Sequence, residues 1–223
     1  NLIKLSGNNI RYITLACELE GSLELIKYLK ENGIVASCGH SDASFHDVEE
    51  AINVGLTNVT HTHNAMSPHH HRNPGIVTAA FYFDSLFTEF IVDLIHVSKE
   101  ALKTSYKIVG PDRFMIITDA LKVKHSNLNE FELFSLPCIK KNGAAYLKSG
   151  PLAGSLLFFD QGIRNMRDVC SCSLQELVKI SSYNQAKCLG LKNTGDIKEG
   201  YDADFVLLEG NIEKYIALGV GLN

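Results

Sequence analysis

Four short apolar runs in this chain each lead into a residue able to bind a metal ion or move a proton. VASCGH ends on His40, NVTHTHNA carries His61 and His63, TEFIVDLIH carries Asp93 and His96, and FMIITDA carries Asp119. Neutral imidazole and carboxylate are the donors that suit zinc or iron(II), and a catalytic site leaves one coordination position for water. An aspartate beside such an ion could take a proton from that water and later pass it to a leaving amine. One polar residue at a strand end often only caps the next helix. Four in succession point to a shared face with chemistry on it. The segment VTHTHNAMSPHHHRNPG, residues 59–75, also gathers five of the nine histidines with one arginine and no acid. Metal binding, phosphate binding and surface decoration are the three uses open to it.

The elements that must position these residues follow from pattern. Residues 11–16 (RYITLA), 35–38 (VASC), 58–62 (NVTHT), 88–92 (TEFIV) and 114–118 (FMIIT) read as buried strands. Between them, Ser22 opens a helix with Leu23, Ile26 and Leu29 on one face, stopped by Gly33. Ser44 with Asp47 has the form of a capping box, with Val48, Ala51 and Ile52 inward and Gly55 at the end. Ser98 opens a third helix through Leu102 and Tyr106 to Gly110. Strands alternating with helices predict βαβ units and a parallel sheet, whose strand C-termini share one face. His40 and His61 then lie on adjacent strands, close enough for one divalent ion. Beyond Ser155 come two helical stretches, 156–169 and 173–189, and then TGDIKEGYDADFVLLEG with turn glycines and short β-like runs.

Composition narrows the partners. The 223 residues carry a net charge of −4 and no long basic run, so neither nucleic acid nor an anionic membrane is an expected partner. No apolar run approaches the roughly 20 residues of a membrane span, and the N-terminus has no signal-peptide pattern. Six scattered cysteines without paired CxxC spacing read as reduced thiols of a soluble, cytoplasmic protein.

With those residues in view, the chain resembles the N-acetylglucosamine-6-phosphate deacetylases of the amidohydrolase superfamily. The motifs are TLACE (14–18), GHSDA (39–43), THTHNAM (60–66), HHRNPG (70–75), VDLIH (92–96), ITDA (117–120), LAGS (152–155) and GDIKEGYDADFVLL (195–208), in family order. The resemblance implies an α/β fold, a (β/α)8 TIM-type barrel with a small β-sandwich domain. Residues 1–190 match the barrel and residues 191–223 the C-terminal β segment of the small domain. It implies His40 and His61 as ligands of one divalent metal ion, zinc or iron, and Asp119 as the catalytic base and acid. His96 matches a histidine that contacts the sugar and polarises the amide carbonyl. Asn64, Ala65 and Arg72 match positions at the substrate's phosphate, and Leu152, Ala153 and Gly154 match a loop over the sugar and acetyl group. A homodimer is implied, each subunit helping to complete the other's phosphate site.

The departures carry equal weight. The family's upstream strands, with their histidine-pair motif and the EGP glutamate that binds metal, have no counterpart in this sequence, which matches the C-terminal larger part of a deacetylase. Glu18 matches the glutamate of the family's TLAPE motif, which is not that ligand. Cys17 replaces a proline, Leu94 a glycine and His63 an aromatic residue. Two functions remain: hydrolysis of N-acetylglucosamine 6-phosphate to glucosamine 6-phosphate and acetate, or a catalytically impaired remnant that binds a sugar phosphate or only an oligomeric partner. Action on a cyclic amide is disfavoured by the NAM, HHR and LAGS motifs. If residues 60–63 are extended, His63 shares a face with His61 and can compensate for the missing glutamate; otherwise it replaces the aromatic's packing and bonds to a neighbour.

Overall fold

Each of the first four parallel strands in this chain is followed by a helix that covers it, and the element order repeats that unit. The structure is a computed structural model describing residues 2–210, 212 and 214–218. A single-turn helix α1 (Leu2–Leu5) leads to β1 (Tyr12–Leu15), α2 (Ser22–Glu31), β2 (Val35–Cys38), α3 (Phe45–Val54) and β3 (Asn58–Val59). Then follow α4 (Ile76–Tyr82), β4 (Phe87–Ile91), α5 (Lys99–Val109) and β5 (Phe114–Ile117). The five strands form one parallel sheet in the order β1-β2-β3-β4-β5. All five expected strands are present, although β3 stops at Val59, well short of residue 62.

Local chemistry explains the helix starts. Ser44 and Asp47 form a reciprocal capping box, and the Ser98 hydroxyl accepts the Ala101 N–H, so both expected N-caps are found. Ser22 is a correction. Gly21 is the N-cap in a left-handed conformation, and the buried Ser22 hydroxyl instead donates to the Cys17 carbonyl. Ile26 and Leu29 of α2, Val48 and Ala51 of α3, and Ile76, Ala79 and Ala80 of α4 bury against Ala36, Cys38 and Val59. A second cluster joins Leu102, Tyr106 and Val109 of α5 to Phe90, Phe114 and Met166.

Between β5 and the helical stretches lies an antiparallel sheet absent from the sequence reading. It comprises β6 (Glu130–Leu133), β7 (Leu136–Lys141), β8 (Ala144–Leu147) and β9 (Leu152–Ser155), paired in sequence order. Beyond it, α6 (Phe159–Cys170) and α7 (Leu174–Val178) are followed by a π-helical turn, residues 179–183, and α8 (Asn184–Cys188). The turn delivers Asn184, whose amide donates to the Pro111 and Phe114 carbonyls at 2.8 Å and closes the entry to β5. The strands β10 (Phe205–Glu209) and β11 (Lys214–Leu218) form an antiparallel hairpin. Of the segment 191–223, residues 211, 213 and 219–223 lie outside the described residues.

The three strands that carry the site are packed tightly at Gly39. A Cβ there would stand 2.8 Å from Thr60 Cβ and 2.9 Å from Thr14 Cγ2, so β1, β2 and β3 meet where only hydrogen fits. Gly39→Ala is expected to lower stability by about 1–3 kcal/mol, the range for overpacking a filled site. Chemical denaturation checks this; an unchanged midpoint would mean that Thr14 and Thr60 yield freely.

Candidate active site

His40 and His61 stand just past the ends of the adjacent strands β2 and β3, and their Nε2 atoms face each other at 2.8 Å. One of the two nitrogens carries the proton. Neither ring reaches this position along an extended backbone: φ is 48° at His40 and 33° at His61. Those left-handed turns cost energy in a β-carbon-bearing residue and persist only where surrounding structure holds them. Burial lowers the His61 pKa, His40 lowers it further and Asp119 opposes both, so the net shift leaves His61 neutral at pH 7. Asp119, exposed and also left-handed at φ 46°, follows β5 and feels the same histidine.

Two imidazoles with converging nitrogens fit a divalent ion as two of its ligands. Tetrahedral zinc with Zn–N bonds of about 2.0–2.1 Å holds its nitrogens about 3.3 Å apart, so the pair needs only a small opening. A catalytic ion takes three protein donors. Among the described residues, no third His, Cys, Asp or Glu joins the pair in a metal-binding group.

His63 is not part of this pair. The chain leaves the strand after Val59, and φ of 33° at His61 and 84° at His63 breaks the alternation that would have aligned them. His63 packs beside Phe81 and Phe90 and hydrogen-bonds Ser105 Oγ at 2.8 Å. The compensation reading falls and the packing reading stands.

His96 follows β4 and is tied to its own loop. Asp93 Oδ1 accepts the N–H groups of Ile95 and His96 at 2.9 and 2.8 Å, and its Oδ2 accepts from His96 Nδ1 at 2.6 Å. Both side chains are nearly inaccessible. Burial raises the Asp93 pKa, but these bonds outweigh it and hold the carboxyl below its ordinary value. Leu94 between them adopts φ 65°, where a glycine would be unstrained.

The residues expected at a phosphate divide between two places. Asn64 stays with His61, its side-chain amide donating to the His61 carbonyl at 3.2 Å, and Ala65 follows at φ 48°. Arg72 is exposed and lines a groove with Asp42, Phe45, His46, His70 and Pro74; neither Asn64 nor Ala65 lines that groove. The imidazoles beside Arg72 are partly committed. His70 Nδ1 accepts the N–H groups of Arg72 and Asn73, His71 Nε2 contacts the guanidinium at 2.9 Å, and His69 bonds Thr78. His46 and His125 are exposed, as surface residues should be. Leu152, Ala153 and Gly154, expected as a loop, are corrected to strand β9. Leu152 and Gly154 pair with Tyr146 and Ala145 of β8, and Ser155 bridges Ala120, so this strand holds the chain directly after Asp119.

One carboxylate escaped the sequence reading, and a second was named there without a structural role. Glu89 on β4 accepts the Tyr12 hydroxyl at 2.7 Å, with its pKa raised by burial against the lowering effect of Tyr12 and the His61 N–H. Its signal was present: one acid in the otherwise uncharged strand run TEFIV. Glu18 accepts from Ser41 and Asp42, immediately after His40.

The amidohydrolase family model matches residues 13–220. The chain is 42% identical over 205 residues to an N-acetylglucosamine-6-phosphate deacetylase of Lysinibacillus sphaericus, covering 92% of this chain and 53% of the relative. It is 36% identical over 214 residues to the enzyme of the same name from Bacillus subtilis strain 168, covering 96% and 54%. The crystal structure of N-acetylglucosamine-6-phosphate deacetylase from Thermotoga maritima superposes with a TM-score of 0.91 at 35% identity, covering 98% of this chain and 61% of that one. The chain thus spans about half the length of the two sequence relatives.

Two substitutions test this geometry. His63→Phe keeps the packing against Phe81 and Phe90, and Ser105 retains its bond to the Ala101 carbonyl. Stability should change by less than about 1.5 kcal/mol, as for a tolerated core swap, with metal content unaltered. Reduced metal uptake by the folded variant would restore the compensation reading. Asp93→Asn removes a charge-assisted bond and should cost about 1.5–3 kcal/mol at pH 7. Because the folded pKa of Asp93 is depressed, its contribution is present above the unfolded value and lost as pH falls through the folded one. The gap between wild type and variant should therefore close below about pH 4; a gap independent of pH down to full protonation would assign the loss to packing.

Proposed function

The chain belongs to the amidohydrolase family, and from that premise we propose that it carries out metal-dependent hydrolysis of the N-acetyl group of N-acetylglucosamine 6-phosphate. The products are glucosamine 6-phosphate and acetate. The observation that carries this reading is the convergence of the His40 and His61 Nε2 atoms, with Asp119 close enough to influence His61. The names of the relatives supply the substrate class.

In this reading His40 and His61 hold one divalent ion, zinc or iron, whose bound state supplies Lewis acidity and a more acidic water. Asp119 takes the proton of the attacking water as a carboxylate and then gives it to the departing amine nitrogen. His96 donates toward the amide carbonyl through Nε2. Its Nδ1 is bound to Asp93, which fixes the orientation of the ring toward that carbonyl. Asn64 and Ala65 take one side of the phosphate. Arg72 supplies a guanidinium to it, bidentate if both oxygens are free. Leu152, Ala153 and Gly154 form the wall beside the acetyl group through their attachment to residues 119–121.

The rest of the notional enzyme follows the same reading. Residues 1–190 form part of a βα barrel and residues 191–223 part of a small β-sandwich, in a cytoplasmic homodimer. In that homodimer each subunit would help to complete the other's phosphate site. A second reading is favoured by one observation, the lack of a third metal donor among the described residues: a chain that binds the sugar phosphate without turnover.

Acetate release from N-acetylglucosamine 6-phosphate by the purified chain, with zinc or iron(II) added and then chelated, separates the two. Chelator-sensitive release supports the hydrolase; phosphosugar binding without release supports the binding reading. Arg72→Ala should weaken binding of the phosphorylated sugar by about 1.5–3 kcal/mol, the range of a charge-assisted hydrogen bond, and leave unphosphorylated N-acetylglucosamine nearly unchanged. Equal losses for both sugars would make Arg72 a structural residue.

A further inference from the structure

The residue after His40 is held on every polar side. Ser41 is 6% exposed, its N–H donates to the Ala65 carbonyl at 3.2 Å, and its carbonyl accepts the Ser67 N–H at 3.3 Å. Its hydroxyl donates to Glu18 Oε2 at 2.5 Å, while Glu18 Oε1 accepts the Asp42 N–H at 2.8 Å. Glu18 itself lies three residues beyond the end of β1, exposed, with no side-chain partner outside this loop among the bonds described. One carboxylate from β1 therefore fixes the segment that leaves β2, and that segment fixes the segment that leaves β3.

His40 needs such a clamp. Its φ of 48° is a conformation that an L-residue leaves readily unless both flanking peptides are held. Gly39 before it is held by its N–H bond to Leu15, and the peptide after it by Ser41. Without Glu18, the Ser41 hydroxyl and the Asp42 N–H lose their acceptor. The strained turn is then free to relax, and His40 Nε2 moves off His61.

We infer that Glu18 is a positioning residue that locks His40 against His61 and, through Ser41, keeps the Asn64–Ala65 segment in register with that pair. The functional consequence rests on the deacetylase reading; the local one does not. Glu18 binds neither ion nor sugar in this role. It couples the two binding loops mechanically, so loss of the clamp weakens both.

The test compares Glu18→Ala, Glu18→Gln and Ser41→Ala with the wild-type chain. Glutamine keeps an oxygen for Asp42 N–H and offers its NH2 to the serine oxygen, so it should rescue; Ser41→Ala removes the hydroxyl leg alone. Cobalt(II) binding, read by its d–d absorption, should weaken roughly 10- to 100-fold in Glu18→Ala, the range for lost outer-shell support, and recover in Glu18→Gln. A metal-free readout accompanies it: the ring 15N–1H signals of His40 and His61, whose shared hydrogen bond should be present in wild type and Glu18→Gln and lost in Glu18→Ala. If wild type fails to bind cobalt, the deacetylase reading fails and the ring signals alone decide the clamp. A folded Glu18→Ala with unchanged ring signals and unchanged cobalt affinity overturns the proposal. Should Glu18→Ala not fold, intact ring signals in Ser41→Ala overturn it.

Discussion

The hydrogen bond from the Tyr12 hydroxyl to Glu89 joins β1 to β4, strands that are not neighbours. Three inter-strand steps of about 4.8 Å would put them roughly 14 Å apart on a flat sheet, out of reach for side chains that stand perpendicular to it. The sheet must therefore curl, and its concave side is lined with polar groups. Thr60 Oγ1 shares hydrogen bonds with Thr14 Oγ1 at 2.9 Å and Ser37 Oγ at 2.6 Å, linking β1, β2 and the end of β3. Burial raises the pKa values of both Tyr12 and Glu89, which is the cost of placing ionisable groups inside this curve. The hydroxyl–carboxyl bond offsets part of that cost because each group satisfies the other. Everything at the strand ends depends on this curvature, since a flat sheet would splay the loops that carry His40, His61, His96 and Asp119.

Curvature brings the strand ends together, and backbone strain then turns the side chains inward. His40, His61, His63, Ala65, Leu94 and Asp119 all have positive φ without being glycine. At roughly 1–2 kcal/mol for each left-handed L-residue, this is a sizeable fraction of the stability of a typical domain. The helices behind the sheet carry that burden. Their packed faces contain fully buried Ile26, Leu29, Val48 and Leu102, none of which touches chemistry. Core packing on the convex side thus stabilises an arrangement on the other side that the local backbone would not choose.

The convex side is also what the sequence made legible. Runs such as VASC and FMIIT are apolar because both faces of a parallel strand are covered, and the Ser44–Asp47 and Ser98 caps follow from backbone donors that need partners. Signals failed where the chain departs from regular elements. Periodicity could not reveal that β3 ends after two residues, so the sequence left His63 open between the His61 face and a packing position. The β6–β9 sheet was hidden because its first hairpin turns through Phe134 and Ser135, residues that do not advertise a left-handed backbone. Its second turn, Asn142–Gly143, is a strong hairpin dipeptide and was the available clue. Within the site, His40, His61 and Asp119 could be read because strand-end position alone suggests their use. Glu18, Glu89 and the Asp93–His96 pair are defined by hydrogen bonds across long sequence separations or within one tight loop, which composition does not encode.

The loops of the site are not independent appendages. From Ser41 the hydrogen bonds continue through Ser67, whose hydroxyl donates to the Ala43 carbonyl and accepts the Ile76 N–H, to the Ser44–Gly75 bridge. Gly75 is packed so closely on Ser67 that a Cβ there would lie 2.4 Å from its Oγ. The histidine–arginine segment is therefore pinned at its end by the same cluster that holds the GHSDA loop. This explains how residues on irregular backbone can be placed as firmly as residues on strands. Loops are ordinarily the mobile part of a βα fold, but here backbone groups of Ser41, Ala43, Ala65, Ser67 and Ile76 bond from one loop segment to the next. Rigidity at the strand ends then comes from loop-to-loop pairing, and the His40–His61 pair and the Arg72 segment behave as one mechanical unit.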